Sequence, residues 1–314
     1  MTASEHLPGG PRLGMVQVVT AAVLWGTGGL VVTELHEHHG LGALTTSAWR
    51  MLVAAVALVL FVAVTGRLGA VAATLRTHPV RSLAVGVGTA AYQGMYFVAV
   101  LSIGVTLATV ISLGLAPVIA STWEHLRAGT RPSHLELAVL VSSLSGLVLM
   151  TVFAGNAPGP TGSPALGIVL SIGSGATYAA TTLVGHRIAG SVDPIALTTC
   201  ATAAGAVVLA PAFLLAAAKG SPVISTDPGA LGLLAYLGVA TMALSYGLLY
   251  AGLRTTSASA ATIATLVEPL SAATLALVLL DERVTWQATV GGVLILCGVL
   301  GLRPRAEPEE IVAT

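Results

Sequence analysis

Long apolar runs alternate with short polar gaps over nearly the whole chain. A helix needs about 20 apolar residues, each rising 1.5 Å, to cross a bilayer core about 30 Å thick. On that rule the pattern predicts ten transmembrane helices, over 15–34, 43–65, 82–101, 104–123, 135–154, 165–186, 194–217, 229–252, 257–280 and 286–303. Turn formers fill the gaps: Gly40, Gly66, Asn156-Ala157-Pro158-Gly159-Pro160, Asp193-Pro194, Ser221-Pro222 and Asp227-Pro228. The expected fold class is an all-α integral membrane protein, with polar tails at residues 1–13 and 304–314.

Composition agrees. Hydrophobic residues make up 55% of the chain and charged residues 8%, with a mean hydropathy of +0.91. Water-facing domains carry about 25% charged residues, so this chain cannot cover a soluble surface. Its first partner is the lipid bilayer, and its balanced charge gives no reason to expect nucleic acid. Cys200 and Cys297 both lie in apolar runs, as free thiols acting as small apolar residues do. With the N-terminus in the cytoplasm, ten arginines fall on the cytoplasmic side (Arg12, Arg67, Arg76, Arg81, Arg127, Arg131, Arg187, Arg254, Arg303, Arg305). Lys219 and Arg283 fall on the other. That bias predicts a multi-pass protein of the cytoplasmic membrane with both termini cytoplasmic.

The chain also repeats itself. Ala43-Leu44-Thr45-Thr46-Ser47-Ala48 matches Ala196-Leu197-Thr198-Thr199-Cys200-Ala201 at an offset of 153 residues, and Leu30-Val31 matches Leu183-Val184. At an offset of 152, Pro117 matches Pro269 and Gly146 matches Gly298. The expected repeats span 14–160 and 161–303. Five helices is an odd number, so the second copy enters the membrane from the opposite side. Inverted repeats of this kind mark transporters, with substrate sites near the midplane between the copies.

Two charges break the repeat. Arg50 aligns with Ala203, and Glu268 aligns with Ala116. Insertion of such a group at mid-helix costs roughly 2.5 to 3.5 kcal/mol, so an intramembrane charge is a functional-site candidate by default. By helix rise, Arg50 lies roughly 10 Å and Glu268 roughly 14 Å below the outer face, close enough for a direct or water-mediated pair. Both sit on small, polar helix faces: Thr46, Ser47, Arg50, Ala54 and Ala57, and Ala261, Ala264, Thr265, Glu268 and Ser271. Ile263, Leu266, Leu270 and Leu277 fall on the other side of that helix, where lipid is expected. Two roles are open for the charges: a structural pair fixing helix positions, or the handling of substrate or a proton. Pro117 and Pro269 remove backbone donors and should free the carbonyls of Leu113 and Thr265, either kinking helices for packing or lining a wet cavity.

Five aromatics lie away from the helix ends: Trp25, Tyr92, Tyr96, Tyr178 and Tyr246. With Gln93, Thr27, Ser112 and Thr181 they are candidates for lining a cavity, although helix packing accounts for such residues equally well. His36-Glu37-His38-His39 fits no enclosed metal site and is expected in an exposed loop. Gly86-Val87-Gly88 lacks the strand and third glycine of a nucleotide motif, and no hydrolase, zinc-protease or Walker sequence appears. No metal, cofactor or catalytic set is therefore expected. An intramembrane lipid-modifying enzyme would need a nucleophile or metal constellation, and a non-transporting sensor needs no inverted repeat.

Several motifs together resemble a known family: Leu24-Trp25-Gly26-Thr27-Gly28, Ala48-Trp49-Arg50, Val267-Glu268-Pro269-Leu270, Asp281-Glu282-Arg283-Val284-Thr285, and the last helix from Gly291-Gly292 to Cys297-Gly298. They are similar to those of the EamA-type branch of the drug/metabolite transporter superfamily, over nearly the whole chain. The resemblance implies two inverted five-helix repeats around a central cavity, and movement of small metabolites or drugs. The expectation is a secondary transporter, an exporter, with Glu268 as the candidate for proton coupling. Where the second copy has Asp281-Glu282-Arg283, the first has Gly129-Thr130-Arg131, with Glu124 displaced earlier.

Overall fold

The computed structural model describes residues 11–153, 163–279 and 285–302. The interrepeat run Asn156–Pro160, the cluster Asp281–Arg283 and both tails, apart from the residues at 11–13, lie outside the described residues. Fourteen helices follow in order: α1 Pro11–His39, α2 Ala43–Val64, α3 Leu68–Thr77, α4 Pro79–Ile103, α5 Val105–Ala128, α6 His134–Val152, α7 Pro164–Ala189, α8 Pro194–Leu209, α9 Pro211–Ala218, α10 Pro228–Gly238, α11 Ser245–Gly252, α12 Ala258–Ala264, α13 Val267–Leu279 and α14 Trp286–Gly301. A π-helical segment, Val239–Leu244, joins α10 to α11. Among the described residues nine spans are long and apolar enough to cross a membrane, and α14 is a tenth, shorter apolar helix.

Local chemistry sets the helix ends. Asp193 and Asp227, each followed by proline at the first helical position, accept hydrogen bonds from the backbone N–H groups of Ala196 (3.0 Å) and Ala230 (2.9 Å). The Asp-Pro pairs read as breakers are thus helix starts. Ser133 and Glu136 form a reciprocal capping box at α6. Within the repeated motif, Thr198 and Thr199 return their hydroxyls to the carbonyls of Pro194 and Ile195, at 2.7 Å each, so they are satisfied without water. Val64, Val207, Leu214 and Leu300 stay exposed on the outside of the bundle, where lipid belongs.

Several details differ from the sequence pattern. The first helix runs on to His39, so His36-Glu37-His38-His39 forms its last turn and not a loop; buried Leu35 and Leu41 anchor that end. A short helix, α3, fills the gap after Gly66. The seventh span breaks at Pro211, and the ninth breaks between Ala264 and Val267. Ile263 and Leu266 do not face lipid. They are buried, Leu266 against Leu147, Met150 and Ile295, because the break turns it onto α6 and α14.

The two copies interlock as the offsets require. Span one packs on spans eight and nine (α1 on α11 and α13), and span six packs on spans three and four (α7 on α4 and α5). Spans two and seven face each other, as do five and ten (α2 on α8, α6 on α14). Close crossings repeat at the same spacing. A methyl group added to Gly146 would lie 2.5 Å from the Gly291 carbonyl oxygen, and one added to Gly298 would lie 3.2 Å from that of Val139. Gly146 and Gly298 are 152 residues apart, as are Val139 and Gly291. Gly14 meets Thr255 and Gly167 meets Ile103 in the same way, their positions again 153 and 152 apart. The protein is two inverted five-helix repeats.

Gly146→Leu should destabilise the bundle by about 1–3 kcal/mol or more, because backbone faces the added side chain. Gly69→Ala, with no neighbour near its added methyl group, should leave stability unchanged or raise it by a few tenths to about 1 kcal/mol. Thermal unfolding of the two purified variants in detergent checks both outcomes.

Candidate functional site

Glu268 is the second residue of α13, the part of the ninth span beyond its break, ten residues after Ala258. The proline that follows explains the break. Pro269 has no N–H and its ring clashes with the carbonyl four residues back, that of Thr265. That carbonyl is not left free, contrary to the sequence expectation: the Glu268 N–H donates to it at 3.0 Å, closing a tighter turn. The Glu268 carbonyl in turn accepts the Ser271 hydroxyl at 2.9 Å. Pro117, its repeat mate, sits inside an unbroken α5 and is buried.

Helix α1 presses onto this turn. A methyl group on Gly26 would lie 2.5 Å from the Glu268 carbonyl oxygen, so only glycine lets the two backbones meet there. The Glu268 side chain is half-buried and lies within electrostatic reach of Arg50, Tyr92, Tyr96 and Tyr178. Arg50 does not form a direct ion pair with it. One guanidinium nitrogen donates instead to the Thr241 hydroxyl at 3.2 Å and the Thr241 carbonyl at 3.5 Å, and the Arg50 Nε is buried without a partner. Thr241 lies in the π-helical segment, whose wide turn presents both acceptors to α2.

Four of the predicted aromatics form one group. Trp25 and Tyr246 have ring centroids 5.0 Å apart, Tyr92 and Tyr178 have theirs 5.1 Å apart, and the Tyr92 and Tyr246 hydroxyls join the two pairs at 2.7 Å. The pairs are repeat mates: Trp25 and Tyr178 are 153 residues apart, and Tyr92 and Tyr246 stand on the equivalent spans three and eight. The group therefore straddles the axis relating the copies. The Tyr178 hydroxyl donates to Thr265 at 3.1 Å, inside the break of the ninth span. The Trp25 Nε1 is buried without a partner.

The remaining candidates are not part of that aromatic group. Gln93 is buried; its carbonyl oxygen accepts a long bond from Ser47 at 3.5 Å, and its Nε2 has no partner. The Tyr96 hydroxyl pairs with Thr109 at 2.7 Å. Ser112 and Thr181 are occupied by the carbonyls of Ser171 and Thr177, and Thr27 bonds Tyr236 toward the surface. Sequence reasoning missed Thr241, an ordinary threonine whose importance comes from the π turn; it placed Thr265 on the Glu268 face but did not foresee the bond its hydroxyl accepts from Tyr178. The pairing of Trp25 with Tyr178 was available from the same offset that revealed the repeat. Among the described residues no His, Cys, Asp and Glu group could hold a metal ion.

Three comparisons agree with this architecture. The family model described as the EamA-like transporter family matches twice, over residues 12–152 and 165–303. The Bacillus subtilis protein named uncharacterized transporter YwfM is 30% identical over 283 residues, spanning 90% of this chain and 91% of that one. The Salmonella typhimurium protein named uncharacterized inner membrane transporter YicL is 27% identical over 295 residues, spanning 93% of this chain and 95% of that one. A solved crystal structure superposes with a TM-score of 0.75 over 92% of this chain and 95% of its own, at 16% identity, which supports the fold alone. With two copies of the family match covering nearly all of its helices, the chain belongs to the EamA-like transporter family.

Proposed function

We propose that this membrane transporter is a secondary carrier that moves a small metabolite or drug by alternating access, in the direction of export, with Glu268 as the proton-coupling group. The observation that carries the reading is the placement of Glu268: a half-buried acid just past a helix break, in the span whose Thr265 bonds Tyr178 of the aromatic group shared by the two repeats. Alternating access in inverted repeats rocks one copy against the other about a fixed midplane site. A carboxylate at that site can exchange a proton with whichever side it faces, while Arg50, held by Thr241, supplies a nearby positive charge. The arginine bias supports cytoplasmic termini and a place in the cytoplasmic membrane. Trp25, Tyr92, Tyr178 and Tyr246 offer ring faces to an amphipathic solute, and Gln93, Arg50 and Tyr96 offer polar contacts.

Proteoliposome flux measured with and without a proton gradient, over a broad solute panel, tests the coupling. Glu268→Gln should keep solute exchange but lower the effect of the gradient on transport by about tenfold or more. A variant that keeps the full gradient dependence removes Glu268 from the coupling role. Arg50→Ala separates binding from scaffolding: loss of a charge-assisted contact to solute should raise KM roughly tenfold with thermal stability retained. An unchanged KM with a lowered melting temperature makes Arg50 a structural residue.

A further inference from the structure

The acid that the first repeat carries out of register, Glu124, has a structural partner in the second. It stands near the end of α5, one turn before Ala128, at the same end of the bundle as the start of α1. One carboxylate oxygen accepts the backbone N–H groups of Ala258 (2.8 Å) and Ser259 (3.3 Å), and the other accepts the Ser259 hydroxyl. These are the first residues of the ninth span. Ser257 caps the same turn from within, through the N–H of Ala260. Charge-assisted bonds to open backbone N–H groups are stronger than neutral ones, so Glu124 ties span four to span nine across the repeat boundary.

The tie is local to one end. Helix α12 packs chiefly along α5, with smaller contacts to α1, α7 and α14, whereas beyond the break α13 packs chiefly on α1, with smaller contacts to α6 and α14. Spans four and nine are thus together at the end with the termini and follow different partners past Glu268. At that same end Arg187 of α7 lies over the Trp123 ring, 5.4 Å from its centroid, and His186 bonds the Leu253 carbonyl. The repeat mate of Glu124 by offset is Ala276, so the second copy has no acid in register to make the reciprocal tie.

We propose that Glu124 is a positioning residue for transport: it holds the termini-side end of the ninth span shut against the fourth, and its release lets the central site face that side. This rests on the alternating-access reading. Because Glu124 grips the turn that leads through Thr262 and Thr265 to Glu268, letting go frees the segment between the grip and the break to swing. The break at Thr265-Leu266 supplies the hinge.

Thiol labelling tests this without solute or gradient. Thr262 is buried, one helical turn inward of Ser259 on the same face. In the full-length chain carrying Cys297→Ser and Thr262→Cys, an impermeant maleimide is applied from the termini side of membrane vesicles. Peptide mass spectrometry reads Thr262→Cys and the buried native Cys200 separately. Adding Glu124→Ala should raise labelling at position 262 about tenfold and leave Cys200 unchanged, with Glu124→Gln, which keeps one of the two acceptor oxygens, in between. Unchanged labelling at 262 overturns the proposal. So does an equal rise at Cys200, which would make Glu124 an ordinary contact holding the whole bundle together. Absence of any solute flux from the parent protein would defeat the transport reading and leave the labelling result to decide the gate by itself.

Discussion

Helices in lipid gain nothing by leaving apolar surroundings for one another, so their association depends on how closely their backbones approach. The rest of this structure hangs on that constraint. Gly14, Gly26, Gly86, Gly146, Gly167, Gly238 and Gly298 stand at crossings where an added methyl group would fall within 3.0 Å of a neighbour. Most of these crossings join spans of different repeats, which is how two chains of five helices become one bundle. Six of these glycines fall into repeat pairs (Gly14 with Gly167, Gly86 with Gly238, Gly146 with Gly298), whereas Gly26, beside Glu268, has no glycine mate. The central aromatics inherit that symmetry, and the Tyr92–Tyr246 bond joins equivalent spans near the axis.

Against this symmetric frame, the charges stand out as additions. A group that served packing in both copies would recur at both positions, as the prolines and close-packed glycines do. Arg50 and Glu268 instead align with alanines in the other copy. The structure also keeps them apart, giving Arg50 to Thr241 and leaving Glu268 in its field. A direct pair in a low-dielectric interior would be held firmly, since separating it would leave two uncompensated charges. A separated pair leaves each group free to respond to a solute or a proton, which suits a carrier better than a scaffold.

Much of this was legible in the sequence, and the reasons are physical. Span number and order followed from hydropathy because the bilayer fixes helix length, and the duplication followed from two offsets. What could not be read were features set by neighbours. Ile263 and Leu266 look lipid-facing on an ideal helix and are buried, Leu266 because the break at Thr265 turns it onto α6 and α14. The π turn that presents Thr241 to Arg50 carries no proline or glycine of its own to announce it. Glu124 read only as an acid out of place until its partner, 134 residues away, came within 2.8 Å.

The two prolines show how one sequence feature acquires two meanings. Proline inside a helix removes a hydrogen bond and clashes with the preceding turn, at about 3 kcal/mol or more. In α5 the helix continues through Pro117, with Ala116 and Ala120 buried around it. In the ninth span the same substitution-sensitive site has Glu268 beside it, Gly26 pressing on its carbonyl and Tyr178 bonded to Thr265, and there the helix gives way. The backbone has been allowed to break in the copy that carries the acid, and Glu268 lies just past that break. A helix break and a titratable group placed together in one repeat, and in neither position of the other, are where the otherwise symmetric bundle departs from its symmetry.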